Sequence, residues 1–191
     1  MAGDLGAGGA EVHEAAALLH FWFEELDEER HWARDVELDA EIGRRFGGLR
    51  ARLLRTDAAG WRERPDTLLA AVIALDQFSR NMFRDEAEAF AGDALALDLA
   101  QHGLALSWDV LLPHDRRMFL YMPFEHSEDP IMQQRSLRLF AGLGDAKALS
   151  YAREHAEVIA TFGRFPGRNA ALGRPSTSAE EAYLSQPGAG F

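Results

Sequence analysis

Along most of this chain apolar residues recur at three- and four-residue steps, the period of a helix with one buried face. Val12, Ala15, Leu19, Trp22 and Leu26 mark a first stripe, and Leu38, Ile42, Phe46, Leu49 and Leu53 a second. Pro65-Asp66-Thr67 offers a turn and a capping candidate ahead of a third helix, whose Leu68, Leu69, Val72, Ile73 and Leu75 form a stripe wide enough to bury most of it. A fourth helix is predicted from Glu86 to His102 through Phe90, Ala94, Leu97 and Gln101, with Gly103 ending it. Pro113 opens a fifth, bearing Met118, Phe119 and Tyr121, which Pro123 closes. Ser127 is placed to cap a sixth with Met132, Leu139, Phe140 and Leu143, and Asp145 a seventh with Leu149, Ala152, His155, Ile159 and Phe162. The period then stops until Thr177-Ser178-Ala179-Glu180, the capping box of a short last helix.

No stretch alternates apolar and polar residues with Val/Ile/Thr enrichment, so the expected fold is all-α. Short connections favour antiparallel helical hairpins, arranged either as a degenerate tetratricopeptide-like stack or as an irregular helical bundle. No consensus repeats at the roughly 34-residue period of tetratricopeptide arrays. The Gly/Ala-rich residues 1–10 predict a flexible N-terminus, and residues 11–191 a single all-helical domain.

Charge narrows the partners. A formal net charge of -11 sets a field that repels phosphate backbones and anionic lipid, so neither nucleic acid nor a membrane is an expected partner. The opening MAGDLGAGGAEV lacks a basic region followed by an apolar one, and no run reaches the roughly 20 apolar residues of a membrane span, so a cytoplasmic protein is expected. The absence of cysteine removes thiolate ligands, disulfides and a cysteine nucleophile. Phosphate-loop and dinucleotide glycine patterns and G-x-S-x-G are absent, as is H-E-x-x-H, and Glu125 with His126 lacks helical ligand spacing; no cofactor or metal is expected. Lys147 is the only lysine, so the abundant arginines partly reflect composition.

Three segments carry candidate chemistry. In LDQFSRNMFR, residues 75–84, Asp76 and Arg80 stand at i,i+4 with the acid N-terminal, either a solvated pair or a buried acid holding a guanidinium in place. Asn81 and Arg84 lie at the helix end. In YMPFEHSED, residues 121–129, Glu125, His126, Glu128 and Asp129 crowd a turn; they cap and complement the next helix, or His126 serves as a general acid/base oriented by a carboxylate. In the third, His155 lies on an apolar stripe, as a hydrogen-bonded core residue or a site histidine. FGRFPGRN, residues 162–169, then places Arg164, Arg168 and Asn169, with Arg174 beyond, among glycines and prolines; these donors either clamp an anion or satisfy helix ends and surface acids.

LDQFSRNMFR, FLYMPFEHSED and FGRFPGRN, followed by LGRPST and EE, together resemble the bacterial family known as domain of unknown function 924, from about Phe21 to Phe191. The resemblance implies a tetratricopeptide-like helical fold. It maps motif residues onto Asp76, Gln77, Arg80, Asn81, Arg84, Glu125, His126, Ser127, Glu128, His155, Arg164, Pro166, Arg168 and Asn169, and departs at Ser79, where the family pattern reads proline. No activity comes with it, but it suggests that the three segments share one site.

The leading expectation is a helical binding protein for a small anionic molecule or a peptide C-terminus. Arg80, Arg164 and Arg168 would clamp it, Asn81 and Asn169 would donate, and Asp76 would orient, with Glu125, Glu128, His126 and His155 nearby. The rivals are a metal-independent hydrolase or transferase with His126 or His155 as general acid/base, and an interaction scaffold in which the polar residues are internal struts.

Overall fold

The computed structural model describes residues 7–190, among which the chain forms eight α-helices and no strand. They are α1 (Ala7–His20), α2 (Val36–Thr56), α3 (Pro65–Met82), α4 (Asp93–Ala105), α5 (His114–Glu125), α6 (Pro130–Leu143), α7 (Ala146–Phe162) and α8 (Ser178–Leu184). α1 begins inside the stretch expected to be flexible, whose residues 1–6 lie outside the described ones. A π-helical turn, Phe21–Glu25, prolongs α1 and buries Phe21 and Trp22.

α3 is the axis of the molecule. Every residue from Thr67 to Ser79 is buried, and the helix packs against α1, α2, α4 and α5. A regular stack would give each hairpin contacts with its neighbours alone; a helix enclosed on four sides makes this an irregular helical bundle. α6 and α7 pair with each other and extend it from α5. Complete burial around α3 explains why its stripe lacked a polar side.

Several helix ends differ from those expected, each for a local reason. Gly92, not Glu86, precedes the fourth helix, and residues Ala87–Phe90 form a separate 3-10 turn. Gly103 lies inside α4, buried against Leu68. Asp129, not Ser127, caps α6, its side chain accepting from the Ile131 N–H, with Pro130 in the first turn. Pro123 sits within the last turn of α5, which runs on to Glu125. Thr67 does not cap α3; its hydroxyl donates to the Trp61 and Arg64 carbonyls. Asp145 and the Thr177–Glu180 capping box stand where expected.

The Gly92 boundary matters most for the site. A Cβ there would lie 2.5 Å from the Leu75 carbonyl oxygen, so only glycine lets the start of α4 rest on the α3 backbone. The next residue, Asp93, is thereby brought against the α3 residues that follow Leu75.

Candidate functional site

Asp76 is fully buried in the middle of α3, and a carboxylate without water requires partners. It has three. His126 Nδ1, at the end of α5, is 2.7 Å from Oδ1; Gln77 Nε2 donates to Oδ2 at 2.6 Å; Arg80 Nη1 lies 3.1 Å from Oδ1. Burial pushes the Asp76 carboxyl up, but the Arg80 charge, with His126 and Gln77, outweighs it and holds the group below the ordinary carboxylate range. Burial in turn pulls the His126 imidazole down, against the opposing pull of Asp76, so the ring is neutral at pH 7.

The tautomer follows from the partners. A carboxylate only accepts, so Nδ1 carries the proton and donates to Asp76, and the lone pair sits on Nε2. Nε2 makes no hydrogen bond among the described residues and is not sealed in the core. His126 lines a cavity of about 810 Å³, within the range of small-molecule sites.

Arginines form the adjoining wall. Arg80 donates to both oxygens of Asp93, at 2.8 and 3.0 Å, and to the Asp76 carbonyl at 2.9 Å. Arg168, from the 3-10 turn Pro166–Arg168, shares Asp93 at 3.1 Å and donates to the His126 carbonyl at 2.9 Å. Its guanidinium stands 4.8 Å from the centre of the Phe90 ring and 4.4 Å from that of Phe165. It is 6% exposed, and its Nε–H has no acceptor. Burial, then the neighbouring Arg80 charge, push Arg168 down to about 10.

A second carboxylate–histidine pair adjoins the first. Glu125 Oε1 is 2.9 Å from His155 Nδ1, which also lies 2.8 Å from the Tyr151 carbonyl. The His126 and His155 rings are 6.0 Å apart. The other end of the cavity is aromatic: Trp32 stacks on Phe119 at 5.8 Å and 6°, and Phe23 meets Phe119 edge-on. The arrangement therefore offers an apolar bed, a charged wall and the unprotonated Nε2 of His126.

The sequence candidates divide in two. Arg80, Asn81, Glu125, His126, His155 and Arg168 line the cavity, with Asp76 directly behind. Glu128, Arg164 and Asn169 are not among its lining residues. Glu128 accepts from both Arg174 terminal nitrogens, at 2.8 and 3.0 Å, and from the Phe165 N–H at 2.8 Å. Asn169 bonds Arg174 and Ser176, and Arg164 holds Glu180 at 2.6 and 2.8 Å. These three fasten the 163–180 segment as a strap, so of the FGRFPGRN donors Arg168 alone lines the cavity. Asn81, with Arg84, is engaged by Asp39. At Ser79 the hydroxyl donates to the Leu75 carbonyl and accepts from buried Arg50, while Asp76 and Asp93 fix the Arg80 pose.

Sequence reasoning missed Asp93 and the aromatic bed. Asp93 was hidden by placing the helix start at Glu86; the available signal was Gly92 followed by an acid, the composition of a first helical turn. Phe119 reads as an ordinary apolar position of its helix, and Trp32 falls between the first two apolar stripes.

Fold and site together define an all-helical bundle with a cavity walled by carboxylate-held histidines and arginines. The chain belongs to a family of bacterial proteins of unknown function, DUF924, whose model matches residues 18–188. It is similar to the solved structure of a protein of unknown function, ATU0120, from Agrobacterium tumefaciens. That likeness has a TM-score of 0.87 and 34% identity, and covers 91% of this chain and 98% of that one. No curated protein matches the sequence. Among the described residues no helix is long and apolar enough to cross a membrane.

Proposed function

We propose that the cavity binds a small organic anion, its charge against Arg168 and its apolar body on the Trp32–Phe119 bed. The observation that carries this reading is Arg168 itself. It lines the cavity beside a second guanidinium, shares the Asp93 carboxylate with it, and lies over the Phe90 and Phe165 rings. A ligand carboxylate meeting this guanidinium would form a charge-assisted hydrogen bond, which in a dry site is stronger than one in water. A peptide C-terminus would present the same group, with a side chain on the aromatic bed. We place the protein in the cytoplasm, on its acidic, cysteine-free composition.

Phenylacetate combines a carboxylate with an aromatic ring and is the natural probe. Titration calorimetry of the wild-type protein is expected to show saturable binding, reduced at least tenfold by Arg168→Gln and unchanged by Arg164→Ala. Affinity that survives Arg168→Gln, in a variant whose circular dichroism is native, would remove the assignment. Inorganic phosphate, tested in parallel, separates recognition of the anion from recognition of the ring.

A further inference from the structure

We infer that the cavity is a hydrolytic site for carboxylic esters with an apolar acyl group, in which His126 is the general base and Asp76 its positioning residue. This rests on the anion-pocket reading, because the bound anion becomes the product carboxylate.

Three observations meet here. His126 has its proton fixed on Nδ1 by a buried acid at 2.7 Å, leaving Nε2 as the free lone pair on the cavity. That arrangement orients a base and stabilises the imidazolium formed when it takes a proton. The Arg168 guanidinium, bonded to the carbonyl of this same residue at 2.9 Å, stands on the adjoining wall, where negative charge develops on an attacked carbonyl. The aromatic bed accommodates the acyl group beside them.

The step balances with water as co-reactant. Nε2 takes a proton from water as the water oxygen bonds to the acyl carbon. The tetrahedral intermediate, its oxyanion facing Arg168, breaks the bond to the alcohol oxygen, which receives the proton back from Nε2. Acid and alcohol leave, and the acid loses its proton to solvent. No serine or cysteine nucleophile is required.

The charges facing His126 determine its pH response. Asp76 and Arg80 face it from α3, Glu125 from its own helix, and His155 from α7, while Arg168 lies against its carbonyl. Desolvation disfavours the imidazolium, Asp76 opposes that and Arg80 adds to it, so the base form persists below the ordinary histidine range.

The test uses the full chain and 4-nitrophenyl phenylacetate. Saturable hydrolysis is expected, competitively inhibited by phenylacetate, with kcat/KM sustained through the ordinary histidine range near about pH 6.5 and falling only at lower pH, as the base is protonated. His126→Gln should lower kcat about 100-fold or more while phenylacetate still binds. Asp76→Asn should lower kcat and move the acidic limb to lower pH, a shift that mere loosening of the fold would not produce. His20→Gln, at an exposed ring, controls for surface imidazole catalysis and should change nothing. Wild-type protein that binds phenylacetate yet shows no saturable hydrolysis, or a His126→Gln variant of full activity, overturns the hydrolytic inference alone. Failure of wild type to bind phenylacetate overturns the pocket reading and this inference with it.

Discussion

Lowering the pH from 7 to 5.5 should destabilise this protein through His126, and the sign follows from its surroundings. Its folded pKa lies below the unfolded value because burial outweighs the attraction of Asp76. Between the two values the unfolded chain binds a proton that the folded chain does not, so stability is complete above about pH 6.5 and falls as pH drops toward the folded pKa. One such group contributes at most about 1.4 kcal/mol per pH unit in that window. His31 has the same sign, again from burial, but is partly exposed and contributes less. Because an unfolded imidazole is only half protonated at pH 6.5, the pair costs at most about 2 kcal/mol between pH 6.5 and 5.5. His126→Gln removes the larger share while its amide can still donate to Asp76, so the variant should be about 1–2 kcal/mol less stable at pH 7 and distinctly flatter below it. Urea unfolding of both proteins at half-unit intervals from pH 7 to 5.5 measures the two slopes. Equal slopes would mean that His126 titrates alike in the folded and unfolded chains, and the buried, acid-held imidazole would be wrong.

Two further substitutions test how the site is assembled. Gly92→Ala places a methyl group 2.5 Å from the Leu75 carbonyl oxygen, so α4 must shift; a loss of about 1–3 kcal/mol is expected by urea unfolding, with weakened phenylacetate binding because Asp93 leaves the arginines. Glu128→Gln should release Arg174 from the strap and raise amide hydrogen exchange across residues 163–174, while α3 amides stay protected, since the Glu128–Arg174–Phe165 bonds tie only the strap to the start of α6.

Most of the helical pattern was legible because α2, α3, α6 and α7 each bury apolar residues at helical spacing, and because Asp145 and Thr177 cap where their side chains predict. The boundary before α4 was not. Phe90 and Ala94 continue a four-residue spacing across a 3-10 turn, and periodicity cannot register a helix broken by close contact with another backbone. The Asp76–Arg80 pair was readable from its spacing and its apolar surroundings. Its bond to His126 was not, because fifty residues separate the partners and only the packing of α5 on α3 joins them. Arg164 and Arg168 looked equivalent in the sequence; the turn between them sends one to Glu180 and the other to Asp93.

The distinction between an internal strut and a ligand site lies in unused bonding capacity. A strut is complete when its donors and acceptors are matched, as in the strap, where Glu128 binds Arg174 and the Phe165 N–H, and Glu180 binds Arg164 and its own capping threonine. The cavity wall is matched behind and unmatched in front. Asp76 is saturated by His126, Gln77 and Arg80, and Asp93 by two arginines, yet His126 keeps a lone pair. A water molecule beside a carboxylic acid derivative would use that lone pair, and a purely structural network gains nothing by leaving it open.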